Sequence, residues 1–196
     1  SFVPTGVFAA LAYRAGGDAR FANALAGQLE SWLDQCPFGR GMQWRSPLEL
    51  GIRLINWVWA VDLALESGAI GGELFAGLVN AVYRHVWQID RNYSCGSAAN
   101  NHLIGEAAGA YIACCYFAGM RGAERCRRRA RRILDHAIFS QTFEDGVSRE
   151  LSSGYHLFVL QLFLLAGLVG RWAGQEFSAD YWRRVERMAE FTAALT

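Results

Sequence analysis

Hydrophobic residues recur at intervals of three and four along most of the chain, and the period-two alternation typical of half-buried strands is almost absent. The spacing predicts about seven or eight helices and an all-α fold. Glycine-rich stretches at 16–18, 37–41, 68–72 and 119–122, and Gly146, separate the helices and predict antiparallel helical hairpins. The predicted helix centres are Ala9, Leu25, Leu54, Val79, Ala108, Arg129, Phe163 and Arg184.

Length and composition fit one helical domain spanning residues 1–196. A chain of 196 residues with 53% hydrophobic residues can bury one sizeable core. Successive hairpins could stack into an arc or form a plain helical bundle, and no strict sequence repeat decides between the two. The chain begins abruptly, and its last predicted helix has no clear glycine or proline terminator, so we expect a piece of a longer protein.

Charge is balanced over the whole chain, with 19 basic and 18 acidic residues. There is therefore no global field that would attract an anionic polymer, and any such attraction must be local. The densest local charge is the arginine-rich run 121–132, which has an apolar stripe and no aromatic residues. That pattern favours a helix with a solvated arginine face over a nucleic-acid-binding surface, and capture of a polyanion is the less favoured alternative.

The chain has five cysteines, an odd number without the spacing of a metal site. We expect them to be mainly reduced core residues, and we expect no metal ion and no other cofactor in this chain. The sequence shows neither a signal peptide nor an apolar run of about 18 residues, so it predicts no membrane association. The cysteines are Cys36, Cys95, Cys114, Cys115 and Cys126.

A first polar cluster begins an otherwise apolar segment rich in alanine and glycine, at Asn100, Asn101, His102 and Glu106. His102 and Glu106 are four residues apart and would share one face of a helix, with Asn101 about 100° away. Because buried polar groups need partners, this cluster is either a satisfied structural network or a functional site. The spacing does not decide whether Glu106 orients His102.

A second polar run, residues 143–156, contains glycines and leads directly into the apolar segment 157–160. Tyr155 would therefore lie in the first turns of a helix, beside polar loop backbone. His156 would point about 100° away from Tyr155, which favours a supporting role for the histidine.

A third candidate segment surrounds a predicted helix start. Ser46, Pro47 and Glu49 fit an N-terminal capping box. Arg53 follows Glu49 by four residues, so an ion pair within the helix is the simplest account of it. Alternatively, Arg53 faces a cleft and holds the carboxylate of a ligand through its planar guanidinium group.

Taken in order, the segments 44–57, 100–109 and 150–156 resemble the heparinase II/III-like polysaccharide lyases, a group that includes alginate, heparin and heparan sulfate lyases. The resemblance implies an incomplete (α/α) toroid built of antiparallel helical hairpins, followed by a β-rich domain that is not in this chain. It also implies cleavage of a uronate-containing polysaccharide by β-elimination.

Three residues carry the chemistry in that interpretation. Asn101 and His102 match the family's pair that neutralises the substrate carboxylate and stabilises the charge of the developing enediolate. Tyr155 matches the family's proton-transfer tyrosine. Because a free phenol is protonated at neutral pH, we favour Tyr155 as the acid to the leaving oxygen, with a base role for one epimer left open. The resemblance implies that a further His or Tyr comes from the second domain.

The other polar and aromatic residues of these segments are candidates for binding the sugar chain. The ring of Trp44 could stack on a sugar face, although hydrophobic anchoring of its loop is equally compatible with the sequence. Glu150 is a candidate for binding sugar hydroxyl groups. The full set of substrate-binding candidates is Arg53, Glu150, Asn100, Trp44, Arg45, Glu106 and His156.

Two other functions are compatible with the same residues. A glycoside hydrolase on this scaffold would need two carboxylates about 5 to 9.5 Å apart, and Glu106, Asp145 and Glu150 are available. A non-catalytic carbohydrate-binding scaffold would not depend on Tyr155. The identity of the polymer and its sulfation are open. The resemblance alone implies a periplasmic or secreted bacterial enzyme that acts on an anionic polysaccharide or oligosaccharide, without nucleic acid or membrane partners.

Overall fold

The computed structural model describes residues 3–195, and within this range it contains eight α-helices and no β-strand. Each predicted helix centre lies inside one of them, which confirms the all-α prediction. Three short 3-10 turns, Met42–Trp44, Leu65–Ser67 and Gly96–Ala98, lie between helices. The helices are α1 (Val3–Gly16), α2 (Ala19–Gln35), α3 (Pro47–Ala64), α4 (Gly72–Arg91), α5 (Asn101–Tyr116), α6 (Ala123–Ser140), α7 (Ser153–Trp172) and α8 (Ala179–Ala194).

Consecutive helices pair into four hairpins, α1 with α2, α3 with α4, α5 with α6 and α7 with α8. The odd-numbered helices also pack against one another in chain order, so α1, α3, α5 and α7 form an inner layer. The even-numbered helices lie on the outer side of this layer. Because each hairpin adds beside the previous one, the described chain forms an arc of an α/α toroid and not a plain bundle.

Glycines allow α3 and α5 to approach with their backbones in contact. A Cβ atom on Gly51 would lie 3.0 Å from the carbonyl carbon of Gly105, and one on Gly109 would lie 2.6 Å from the carbonyl carbon of Gly51. Gly51 is the fifth residue of α3 and Gly105 is the fifth residue of α5. The two helices therefore run parallel, with their N-termini side by side.

Short polar side chains begin the inner helices α3, α5 and α7. Ser46 caps α3 by accepting a hydrogen bond from the backbone N–H of Glu49 at 3.4 Å, and Pro47 is the first residue of that helix, as the sequence predicts. Asn100 and Ser152 cap α5 and α7 in the same way. These caps satisfy backbone N–H groups that have no partner within the helix.

Helix α7 is the one helix of residues 3–195 that is long and apolar enough to cross a membrane, with 20 residues and a mean hydropathy of 1.6. The sequence-based prediction that no such run exists was wrong on this point. In the structure α7 packs against α5 and α8, and Val159, Phe163 and Ala166 are buried. A core helix meets the same criterion of length and composition, so α7 is weak evidence for a membrane.

A buried aromatic cluster joins α2, α3 and α4 to the turn before α3. Trp32, Trp44 and Trp57 surround the ring of His85, with ring centroids 5.5, 4.4 and 4.8 Å from it. The guanidinium group of Arg53 lies over Trp32 at 5.1 Å, and its Nη1 donates to Nε2 of His85 at 3.0 Å. Nδ1 of His85 is then the protonated nitrogen, and it donates to the backbone carbonyl four residues earlier at 2.7 Å.

This arrangement predicts an acid-sensitive stability. Burial, followed by the charge of Arg53, lowers the pKa of His85 to about 3. Below about pH 6.5 the unfolded chain binds a proton on this histidine that the folded chain excludes, so the free energy of unfolding should fall as the pH falls toward 3. The expected loss is on the order of a few kcal/mol.

Urea denaturation of the wild type and of His85→Gln at about pH 7 and pH 4 would measure this effect, with exposed His136→Gln as the control. The glutamine keeps an oxygen that accepts from Arg53 but does not titrate. We expect the free energy of unfolding to differ less between the two pH values in His85→Gln than in the wild type and in the control. Equal acid dependence in all three proteins would contradict the prediction.

Candidate active site

Three loops meet at the end of the arc where the inner helices α3, α5 and α7 begin. They span residues 36–46, 92–100 and 141–152. The loops share one end because the inner helices run parallel, and Asn101 at the start of α5 contacts Glu150 in the third loop. The polar clusters around Asn101 and Tyr155, which are separated by about fifty residues of sequence, therefore lie at the same end of the arc.

Glu150 holds Asn101 through two hydrogen bonds. Its Oε1 accepts from the backbone N–H of Asn101 at 3.0 Å, and its Oε2 accepts from Nδ2 of the same residue at 2.7 Å. The carboxylate thereby satisfies an N–H group of the first turn of α5 and lies at the positive end of that helix. Asn101 is only 5% exposed, and its bond to Glu150 fixes the orientation of the amide while using one of the two hydrogens of Nδ2.

His102 and Asn100 lie next to this pair. The side-chain oxygen of Asn100 accepts from the backbone N–H of His102 at 3.2 Å, so it serves as the cap of α5. The imidazole ring of His102 is exposed. A ligand at this end of the arc can therefore contact His102 directly.

Tyr155 is the third residue of α7, and it is 51% exposed. The turn before it passes through Leu151, which has a φ of 51° and is exposed. This left-handed conformation costs a leucine about 1 to 2 kcal/mol. The reversal lets the chain pass from Glu150, which is bonded to Asn101, to Ser152, which caps α7.

His156 is buried, which disagrees with its predicted contact with substrate. Its Nε2 donates to the backbone carbonyl of Met188 at 2.9 Å, and its Nδ1 accepts from the backbone N–H of Ser148 at 3.2 Å. Both ring nitrogens are therefore used within the protein. His156 ties the third loop to α8, and this is a supporting role.

Glu106 is also buried, and the predicted contact with sugar is corrected in the same way. Its carboxylate accepts from the backbone N–H of Ser94 at 2.7 Å and from the hydroxyl group of Ser94 at 2.6 Å. Burial raises the pKa of Glu106, and the two hydrogen bonds from Ser94 oppose that shift. Glu106 makes no hydrogen bond to His102 within residues 3–195; it joins the second loop to α5.

Trp44 and Arg53 lie in the interior and not at a surface that a sugar could reach. Trp44 is 5% exposed and its Nε1 donates to a backbone carbonyl of its own loop at 3.3 Å, which agrees with hydrophobic anchoring and not with stacking. Arg53 is 4% exposed, donates to the carbonyl of Gln43 at 3.2 Å, and forms no ion pair with Glu49 in the described chain. Arg45 is exposed and is the side chain of this segment left for a ligand.

Sequence reasoning missed three residues that hold the loops in place. Ser94 binds Glu106, Ser148 binds His156, and Gln141 donates from Nε2 to the backbone carbonyl of Ala99 at 3.0 Å, which joins the end of α6 to the loop before α5. Each is an ordinary polar loop residue without a motif. Only contacts between segments that are distant in the sequence give them a role.

Comparison with known proteins places this chain in a family. The model of the Heparinase II/III N-terminus family matches residues 7–196. The chain is 26% identical over 186 residues to a heparin-sulfate lyase of Pedobacter heparinus, and the match covers 91% of this chain and 28% of that protein. A heparin-sulfate lyase of Bacteroides stercoris is 26% identical over 205 residues, which cover 93% of this chain and 30% of that protein.

Solved structures similar to this chain are consistent with the family match. The heparan sulfate lyase HepC from Pedobacter heparinus has a TM-score of 0.76 at 25% identity, with 96% of this chain and 30% of that chain covered. A heparinase III has a TM-score of 0.76 at 26% identity, with 96% and 32% covered. The chain thus spans less than a third of the length of each of these proteins. Because the family model matches nearly all of it, the chain belongs to the Heparinase II/III N-terminus family.

Proposed function

We propose that this chain is the helical part of a bacterial polysaccharide lyase that cleaves a uronate-containing polysaccharide by β-elimination. The observation that carries the proposal is the group of side chains at one end of the arc. Exposed Tyr155 and His102 lie in the first turns of neighbouring inner helices, and Glu150 fixes the amide of Asn101 beside them. The heparin-sulfate lyases among the bacterial relatives support a glycosaminoglycan substrate. A periplasmic or secreted location remains part of the proposal.

The reaction needs donors that face the substrate carboxylate. β-Elimination removes the proton on the carbon next to the carboxylate and expels the glycosidic oxygen, which leaves an unsaturated sugar. The charge that develops spreads into the carboxylate as an enediolate, so fixed donors at that group lower the barrier. In our proposal these donors are the free amide hydrogen of Asn101 and the imidazole of His102.

Tyr155 gives its phenolic proton to the leaving oxygen in this scheme. A free phenol is protonated at neutral pH, so an acid role needs no change of its ionisation. The base that removes the carbon-bound proton is a His or Tyr from a β-rich domain outside this chain, or Tyr155 itself for one epimer. A further domain is compatible with relatives of which this chain covers 28% and 30%.

A glycoside hydrolase fits the site less well. Hydrolysis of this kind needs one carboxylic acid and one free carboxylate placed on the two sides of the scissile bond. Glu106 is buried against Ser94, and Glu150 is bonded to Asn101. Asp145, the third candidate, accepts from a backbone N–H of its own turn at 3.0 Å. All three carboxylates therefore already accept hydrogen bonds within the protein.

Glu150→Gln in the full-length protein should lower kcat by about ten- to hundredfold with little change in KM, because a displaced catalytic amide costs about that much. The glutamine has one carbonyl oxygen and an NH₂ group that cannot accept, so Asn101 would lose one of the two hydrogen bonds that it donates to Glu150. Glu144→Gln, an exposed change in the same loop, is the control. A higher KM with an unchanged kcat would instead indicate that Glu150 binds sugar hydroxyl groups.

The lyase proposal is tested by following the ultraviolet absorbance of unsaturated uronate while the full-length protein acts on heparan sulfate, hyaluronan, alginate and pectate. An increase with one polymer supports the proposal and names the substrate. Chain cleavage without this absorbance would identify a hydrolase. Binding without cleavage would identify a carbohydrate-binding scaffold.

A further inference from the structure

The arginine-rich helix α6 forms one wall of a groove of about 560 Å³, and the first turns of α5 form another. Leu103 and Ile133 give the groove apolar walls, and Arg129, Arg132 and His136 line its cationic side. Arg132 and His136 are four residues apart on α6, so they project from one face of the helix into the same groove.

The groove adjoins the candidate active site but opens on another side of α5. Ala99 of the second loop and Gln141 of the third loop also line it. Leu103 follows Asn101 by two residues and therefore points about 160° away from it around the axis of α5. A ligand in the groove would therefore lie beside α6, on the side of α5 away from Asn101.

Positive charge on α6 is only partly balanced. The helix has six arginines and two carboxylates. Arg127 pairs with Glu124, and Arg131 pairs with the second carboxylate, Asp135, at 3.3 Å. These two pairs lie outside the lining of the groove.

The arginines near the groove are less fully neutralised by carboxylates. Arg129 forms an ion pair with Asp90 of α4 at 3.2 Å, and Arg125 approaches the same carboxylate at 3.5 Å. One carboxylate therefore serves two guanidinium groups. Arg132 is exposed and has no charged partner within residues 3–195. The groove consequently has excess positive charge and free N–H donors.

We propose that this groove is an accessory binding site for an anionic polysaccharide chain, which rests on the proposed function of the protein. A sulfate or carboxylate group binds the guanidinium group of Arg132 and the ring N–H of His136, since charge-assisted hydrogen bonds of this kind are strong. The C–H faces of the sugar rings pack on Leu103 and Ile133. The described lining has no Phe, Tyr or Trp on which a nucleic-acid base could stack, which favours a polysaccharide.

An accessory site beside the active site has a length-dependent effect. A long chain can occupy the groove and the active site together, so binding at the groove raises the effective concentration of the same chain at the active site. A tetrasaccharide is too short to gain from this. The site should therefore lower KM for long chains and leave kcat unchanged, and added salt should weaken the effect because the groove is open to solvent.

The test compares the full-length wild type with the double variant Arg132→Gln/His136→Gln and with Arg183→Gln, which removes one exposed charge from α8. The probes are long heparan sulfate chains, a heparan sulfate tetrasaccharide and single-stranded DNA of length similar to the long chains. Binding is measured by calorimetry at low and high salt, and cleavage by the absorbance of the unsaturated product.

We expect the double variant to bind long heparan sulfate about three- to tenfold more weakly at low salt, with the tetrasaccharide cleaved as by the wild type. An equal loss in Arg183→Gln, or no loss in the double variant, would overturn the accessory site. DNA binding as tight as heparan sulfate binding, and lost in the double variant, would overturn the assignment to polysaccharide. Absence of unsaturated product from every probe would overturn the lyase proposal alone, because the binding measurement does not depend on cleavage.

Discussion

Tyr155→Phe in the full-length protein is expected to lower kcat on the cleaved polysaccharide by about 10²- to 10⁴-fold, with little change in KM. The proposed acid is the phenolic O–H group, and phenylalanine keeps the ring but removes that proton. Without it the glycosidic oxygen must leave as an alkoxide or take a proton from water. The initial rate of ultraviolet absorbance at saturating substrate measures kcat directly.

This substitution should leave the fold unchanged. The hydroxyl group of Tyr155 makes no hydrogen bond within residues 3–195, and the side chain is 51% exposed. The melting temperature should therefore equal that of the wild type, which separates a catalytic loss from a structural one. Tyr13→Phe, near the C-terminal end of α1 and thus at the opposite end of the arc, is the control. A Tyr155→Phe variant with the kcat of the wild type would remove the tyrosine from the mechanism.

Gly109→Ala should destabilise the protein by about 2 to 3 kcal/mol, near the upper end of what one added methyl group costs in a packed core. The new Cβ atom would lie 2.6 Å from the carbonyl carbon of Gly51, so the backbones of α3 and α5 would have to separate. No flexible side chain can move aside, because the contact is with backbone. Chemical denaturation monitored by circular dichroism would measure the loss.

Gly27→Ala is the matched control for this prediction. Gly27 lies inside α2, is exposed, and has no atom within 4 Å of a Cβ built on it. Alanine there should stabilise the helix by about 0.5 to 1 kcal/mol, since glycine has a high entropy in the unfolded chain. If the two variants had the same stability, the close approach of α3 and α5 would not be a constraint on the fold.

The close contact between α3 and α5 also affects the geometry of the candidate active site. Gly51 and Gly105 bring the N-terminal ends of α3 and α5 together, and Leu48 of α3 packs directly on Gly105. This contact sets where Asn101 lies relative to the loop before α3. A separation of the two helices would therefore move one part of the site away from another, and we expect Gly109→Ala to lower kcat as well as stability.

Local sequence determined the helices of this protein. Hydrophobic spacing and short glycine-rich breaks act within a few residues, so they placed all eight helices of the described chain, and Ser46 and Pro47 marked the start of α3. The polar clusters at Asn100–Glu106 and at Glu150–His156 also marked the loops and first turns at which the site lies.

The tertiary structure decided which polar residues face a ligand. Spacing within one helix suggested a pair between Glu49 and Arg53 and left a pair between His102 and Glu106 open. The structure pairs Arg53 with His85 and Glu106 with Ser94. A buried polar group takes the partner that packing brings to it, and that partner comes from another segment of the chain.

The orientation of Asn101 likewise depends partly on local sequence and partly on tertiary packing. The sequence determined that an amide begins α5 and that a carboxylate lies 49 residues later, before the turn into α7. Only the packing of α5 against α7 brings Glu150 to Asn101, and α5 is itself positioned by its close backbone contact with α3. Helix formation depends on neighbouring residues, whereas a site formed by several helix ends depends on how those helices pack, which no local pattern contains.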